Sequence, residues 1–334
     1  MRTGPNNFIT DVDGVLVGNA EDASVRTGVT MLMSDVPFTA GVHIMGGAPG
    51  TRETDLLDPV QTVDKIDALV LSGGSAFGLQ AAGGVQEVLH EQGRGYPVGN
   101  VTVPLVPAAI IFDLLNGGEK DWSGEPPYRL LGRQAALNAS AGNRSQGSVG
   151  AGFGATIAGL KGGLGSASAL SQTGHMVGAL AIVNAIGAAT IGHGPHFWAA
   201  PFEIDREFGG LGQPSEFPTD INTKGAMQRS GENTTIAVIA TDAVLTKAEA
   251  KRIAVMAHDG FARALWPSHT PFDGDLIFCM ASGKKPLANG PNDILNLGAT
   301  ASATMARAIA RGVFEATGQA GDPMPAWHQK FGSG

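Results

Sequence analysis

The stretch R-S-G-E-N-T-T-I-A-V-I-A-T-D-A (229–243) places two adjacent threonines directly ahead of an apolar run, Ile236 to Ala240, that reads as a buried strand. A threonine hydroxyl is a weak nucleophile until a base stands beside it. Cleavage between Asn233 and Thr234 would supply one, because the freed α-amine of Thr234, with an ordinary pKa of about 7.7–8.0, suits proton transfer near neutral pH. The β-methyl restricts χ1 and helps aim Oγ. The same hydroxyl could make the cut by attacking the Asn233 carbonyl. The plain alternative is an ordinary loop-to-strand junction.

Asp273-Gly274-Asp275 enters a second apolar run, Leu276 to Met280. Two carboxylates there could orient and polarise the nucleophile and its amine, and their mutual repulsion would raise one pKa. A strand-entry turn or a pair of metal-binding carboxylates is the competing reading. S-G-G-S-A-F-G (72–78) lies between a strand and a helix, so backbone amides around Gly74 and Ser75 could contact an anion or oxyanion. It lacks the spacing of a dinucleotide fingerprint and the Lys-Ser/Thr of a phosphate loop. D-V-D-G-V-L (11–16) is similar to the first motif of haloacid-dehalogenase-type phosphatases, but the preceding apolar stretch is very short. The glutamate that would end a calcium loop is missing. His43, His175, His193, His196, His258 and His269 form no zinc-type pair. No metal and no cofactor are expected.

These candidates need elements to hold them. Short apolar runs alternate with Ala-rich helical patterns: strands over 67–71, 177–183, 236–240 and 276–280, and helices over 79–89, 247–265 and 297–316. Thr246-Lys-Ala-Glu249 is a capping box, Ile253, Ala257 and Phe261 mark one buried face, and Trp266-Pro267 stops the helix. The alternation argues for an α/β layered fold. Residues 207–232 form the most loop-like stretch, ending against Asn233.

Composition sets limits. The 334 residues are 43% hydrophobic, enough for a large core. Gly, at 49 of 334, is about twice its usual ~7%, which implies many tight turns and close backbone approaches. Net charge is −8 without a Lys/Arg run, so nucleic acid is not an expected partner. The lone Cys279 excludes a disulfide framework and fits a reducing cytoplasm. The start lacks the apolar segment of a signal peptide, and no apolar run reaches the ~20 residues that cross a membrane, so no membrane partner is expected.

Taken in order, I-T-D-V-D-G-V-L-V-G (9–18), G-G-A-P-G-T-R-E-T-D-L-L-D-P (46–59), L-S-G-G-S-A-F-G-L-Q-A-A-G-G-V (71–85), G-R-Q-A-A-L-N-A (132–139), G-A-G-F-G-A-T (150–156), K-G-G-L-G-S-A-S (161–168), G-E-N-T-T-I-A-V-I-A-T (231–241) and D-G-D-L-I-F (273–278) make a specific pattern. The chain resembles the DmpA family of N-terminal-nucleophile amide hydrolases. That family includes L-aminopeptidase D-amidase/esterases, β-peptidyl aminopeptidases and nylon-oligomer (6-aminohexanoate-oligomer) hydrolases. The resemblance implies a four-layer α/β/β/α sandwich, shared with ornithine acetyltransferase. It implies one domain over 1–334, cut into an α chain 1–233 and a β chain 234–334, with Thr234 as nucleophile. Asp273 and Asp275 match the two assisting aspartates of the nylon-oligomer branch. Lys161 matches a lysine near the nucleophile, and Asn184 an asparagine on the oxyanion side, a role that an amide N–H can fill. Phe77 departs from the family, which often has Tyr there to contact substrate; with Gly74 and Ser75 it marks the expected substrate side. Small peptides or amides are the expected substrates, acyl transfer to an amine is the alternative activity, and a homotetramer of αβ units is the expected assembly. Phe77→Tyr should change relative rates across a panel of amine-terminated substrates; an unchanged panel would reduce Phe77 to packing.

Overall fold

The computed structural model describes residues 1–224 and 233–332. Residues 225–232, the end of the loop-like stretch, lie outside it. Nine strands form one mixed sheet among the described residues. Its path runs Gly163–Leu170, Met176–Asn184, Thr234–Ala243, Leu276–Lys285, Thr27–Ile44, Lys65–Ser72, Ala108–Ile110 and Thr51–Arg52, with Val15–Asp22 paired to Thr27–Ile44 off the path.

Thr27–Ile44 turns this single ladder into two layers. Its first part pairs with Val15–Asp22 and Lys65–Ser72, and its last part, Thr39 to Ile44, pairs with the strand that begins at Leu276. Between them the register slips from Met33 to Phe38. Pro37, which has no N–H to give a ladder, sits in that slip. The sheet therefore doubles back on itself. Leu32, Phe38, Leu69 and Leu71 of one half share a buried cluster with Ile182, Ile236, Val238, Phe278 and Met280 of the other.

Each strand alternates sides, so the same strands feed outer cores too. Ala237, Ile239, Ile277 and Cys279 pack against helices Lys247–Ala262 and Gly290–Phe314. Met31, Val70 and Ala108 pack against helices Ala81–Glu91 and Tyr128–Leu137. The order is α/β/β/α, as the resemblance implied. Strands apolar on both faces read as continuous hydrophobic runs, which is why those over 236–240 and 276–280 stand out in the sequence.

The expected elements lie close to the observed ones. The strand at 67–71 extends over Lys65–Ser72, and that at 177–183 over Met176–Asn184. The Thr246–Glu249 capping box forms, and the helix it starts ends at Ala262, short of Trp266-Pro267. The strand expected from Ile236 begins instead at Thr234, because both threonines enter the ladder. The D-V-D-G segment is structural: Asp11 accepts the Asn6 and Phe8 N–H groups and the Ser168 hydroxyl, the last at 2.6 Å. No helix among the described residues is long and apolar enough to cross a membrane. Phe278→Ala, which empties a fully buried site between the two sheet layers, should cost about 3–5 kcal/mol of unfolding free energy. Thr246→Ala, which removes only the cap, should cost about 1 kcal/mol. Chemical denaturation of the two variants checks the contrast.

Candidate active site

Thr234 opens a central strand that is hydrogen-bonded on both sides. Asn184 is its antiparallel partner, and from Ile236 the strand runs parallel to the one that begins at Leu276. Just before it, Asn233 bridges to Asp273. Asn233 and Thr234 are thus buried and fixed from both flanks.

The Thr234 hydroxyl donates to the Asn233 carbonyl oxygen at 2.5 Å. The Gly274 N–H donates to that same oxygen at 2.9 Å. A carbonyl held by two donors is polarised, and the N–H donor stays in place if charge builds on the oxygen. Gly274 must lack a side chain to come this close: a Cβ there would lie 2.6 Å from the Ala48 carbonyl oxygen and 2.7 Å from Thr234 Oγ.

Both aspartates are buried, and main-chain donors satisfy them. Asp275 Oδ1 accepts the Thr235 N–H at 2.8 Å, and Oδ2 the His269 N–H at 2.9 Å. Asp273 accepts the Ile186 N–H at 3.1 Å on one oxygen. On the other it takes the Thr270 N–H at 3.1 Å and the Thr270 hydroxyl at 2.6 Å. Burial, and then the charge of Asp275, push the Asp273 carboxyl above the usual carboxylate range. Asp275 therefore ties directly to Thr235, the residue after Thr234, and Asp273 holds the turn around it.

Asn184 donates from Nδ2 to the Phe112 carbonyl at 3.1 Å and accepts the Thr156 N–H at 3.0 Å. Lys224 Nζ lies 3.4 Å from both its Oδ1 and its main-chain oxygen. Three of its partners, Phe112, Thr156 and Lys224, line a small cleft of about 60 Å³ together with Met324 and others. A larger cavity of about 690 Å³ lies over the helix Ala81–Glu91, and neither Thr234 nor the aspartates line it.

The other expected site residues fall differently. Lys161 is buried with its ammonium 3.0 Å from Asp322, so its charge is matched there. The amides of Gly74 and Ser75, read from sequence as anion or oxyanion contacts, are already used. Gly74 donates to buried Asp113 at 2.8 Å and Ser75 to the Ile111 carbonyl at 2.9 Å. Gly74 has φ +86°, and a Cβ would lie 2.1 Å from the Tyr128 ring, so its role is the turn itself. Phe77 is exposed and meets Trp122 edge-on, with centroids 5.7 Å apart. Sequence reading missed Lys224, Gly274 as a donor, and the His269 N–H that donates to Asp275. Gly274 had a signal, lying between the two aspartates; Lys224 had none in an aperiodic loop.

A family model described as peptidase family S58 matches residues 7–324. The chain belongs to peptidase family S58. Among its relatives, an uncharacterized aminopeptidase of Mycobacterium tuberculosis (strain ATCC 25618 / H37Rv) is 41% identical, covering 95% of this chain and 96% of that one. The 6-aminohexanoate-oligomer endohydrolase of Kocuria sp. (strain KY2) is 26% identical over 92% of this chain and 84% of its own. In structure, the L-aminopeptidase D-Ala-esterase/amidase of Ochrobactrum anthropi, described as a variant of the Ntn hydrolase fold, superposes with a TM-score of 0.72. The match covers 98% of this chain and 93% of that one at 22% identity, and shows the shared fold. A Burkholderia sp. β-aminopeptidase gives 0.69 at 22% identity, over 99% and 96% of the two chains. This S58 member is accordingly a hydrolase of peptide or amide bonds. Gly274→Ala should displace Thr234 Oγ and lower kcat/KM on amide substrates on the order of 10²-fold, with the fold kept by circular dichroism.

Proposed function

We propose that this S58 hydrolase makes its own nucleophile by cutting the Asn233–Thr234 bond, and then cleaves amides through an acyl-Thr234 intermediate. The observation that carries the reading is the doubly held Asn233 carbonyl: Thr234 Oγ and the Gly274 N–H converge on one oxygen at the first residue of a pinned strand.

In processing, Oγ bonds to the Asn233 carbonyl carbon while its proton passes to the Thr234 nitrogen. The C–N bond breaks as an ester forms. Water then hydrolyses the ester, leaving a carboxylate at Asn233 and a free α-amine at Thr234. In turnover that amine takes the Oγ proton as Oγ attacks the substrate carbonyl, and returns it to the leaving amine. Asp275, bonded to the Thr235 N–H, holds the start of the strand through both stages. Asn184, directly across from Thr234, is assigned to the substrate oxyanion. The products of processing are 1–233 and 234–334.

Short peptides with a free amino end, D-amino-acid amides, β-peptides and linear ω-amides are the substrate classes to assay. The relatives are named for hydrolysis, which favours water over an amine as the final acceptor. Intact mass of the purified protein beside Thr234→Ala tests the reading. Two fragments are expected, the smaller beginning Thr-Thr-Ile-Ala, with the variant left whole. A single uncut but active chain would remove the N-terminal amine from the mechanism.

A further inference from the structure

The cavity of about 690 Å³ over the helix Ala81–Glu91 is a groove with one helix face as its floor. Gln80, Gly83, Glu87 and His90 line it at helical spacing, which gives a floor about 15 Å long at 1.5 Å per residue. Arg52 and the segment Thr102 to Pro104 stand on the lining as well, and so does Arg129.

The two arginines are held differently. Arg129 is paired with the carboxylates of Glu87 and Glu125. Arg52 meets only neutral acceptors: Nη2 donates to Gln86 Oε1 at 2.7 Å, and Nη1 to the Leu79 carbonyl at 3.4 Å. Gln86 Nε2 in turn donates to the Pro104 carbonyl at 2.9 Å, so its amide oxygen is the end that must face Arg52. The guanidinium is therefore fixed in place without a carboxylate to match its charge among the described residues. An arginine carries five N–H donors, and those not spent on Gln86 and Leu79 remain for a ligand.

The floor beneath it is bare. Gly84 has a packing reason, because a Cβ there would lie 1.9 Å from the Arg129 carbonyl oxygen where the two outer helices touch. Gly83 has none: the nearest atom to its Cβ would be Arg52 Nη1, at 3.9 Å. Glycine inside a helix costs stability relative to alanine, so an unforced one that lines a groove beside an unmatched guanidinium points to an occupant lying against the helix.

We propose that this groove binds the free carboxylate end of a linear peptide or amide chain, with Arg52 as its ion-pair partner. The planar fork of a guanidinium suits a carboxylate, and the long floor suits an extended chain. The groove also starts near the chemistry. Gln80 is three residues from exposed Phe77. Arg52 is paired with Ala108, and Phe112, four residues on, takes the Asn184 amide, within about 14 Å of extended chain. The occupant is thus the far end of a substrate or a released product. Only the first of these rests on the Thr234 reading above.

Isothermal titration calorimetry with tri-alanine and tri-alanine amide tests the site on full-length Thr234→Ala, whose result does not depend on self-cleavage. Tri-alanine should bind more tightly than its amide. Adding Arg52→Gln should weaken tri-alanine on the order of 10-fold and leave the amide unchanged. Gly83→Leu should block both peptides while the melting temperature stays level or rises, since leucine is the better helix former. Equal affinity for the two peptides, no binding of tri-alanine, or undiminished binding in either variant would overturn the inference. Kinetics of the wild-type protein then separate the two sources. A lower KM for tri-alanine than for its amide, erased by Arg52→Gln, makes the occupant the far end of the substrate. Arg52-dependent binding without that preference makes it a released product. An uncut wild-type chain would count against the Thr234 reading alone.

Discussion

The proposed chemistry depends on a boundary in the hydrogen-bond ladder. At Thr234 the chain enters a strand that is paired on both sides, with Asn184 opposite and the Leu276 strand alongside from Ile236 onward. A residue fixed in this way cannot give way when its own hydroxyl presses on the preceding carbonyl. The isolated bridge from Asn233 to Asp273, and the Gly274 N–H on the Asn233 oxygen, extend that rigidity one residue upstream. The scissile candidate therefore sits at the last held peptide of the segment leading into the strand.

Holding the boundary requires buried charge. Taking a carboxylate out of water costs several kcal/mol unless donors replace the solvent. Asp275 has main-chain N–H donors on both oxygens, and Asp273 has main-chain donors on both of its own. Burial, and then the nearby charge of Asp275, nonetheless push Asp273 toward its neutral form.

Much of the layering was legible. Strands buried on both faces leave unbroken apolar runs, and the Thr246–Glu249 cap gives a helix a readable start. The long strand Thr27–Ile44 was not legible, because its polar break around Ser34 and Pro37 looks like an end and is a bend. Within the site, Asn233, Thr234, Asp273 and Asp275 stood out as positions, since they lie at the mouths of recognisable strands. The partner of Lys161 did not: Asp322 is distant in the chain, and ion pairing leaves no periodic trace. The amides of Gly74 and Ser75 looked available because the sequence does not show that Asp113 and Ile111 take them.

By itself, then, the sequence determined the family pattern, the residue types that could do acyl chemistry and the strands that would carry them. Each of these is local: a run of apolar residues, a cap, a short motif. Only the tertiary structure decided which groups share an atom. That Gly274 and Thr234 meet on the Asn233 oxygen, and that His43, His258 and His269 line up behind Asp275, follows from the packing of the helix Lys247–Ala262 against the folded-back sheet. Hydrogen-bond direction depends on distances between segments far apart in the chain, and those distances exist only once the layers have closed.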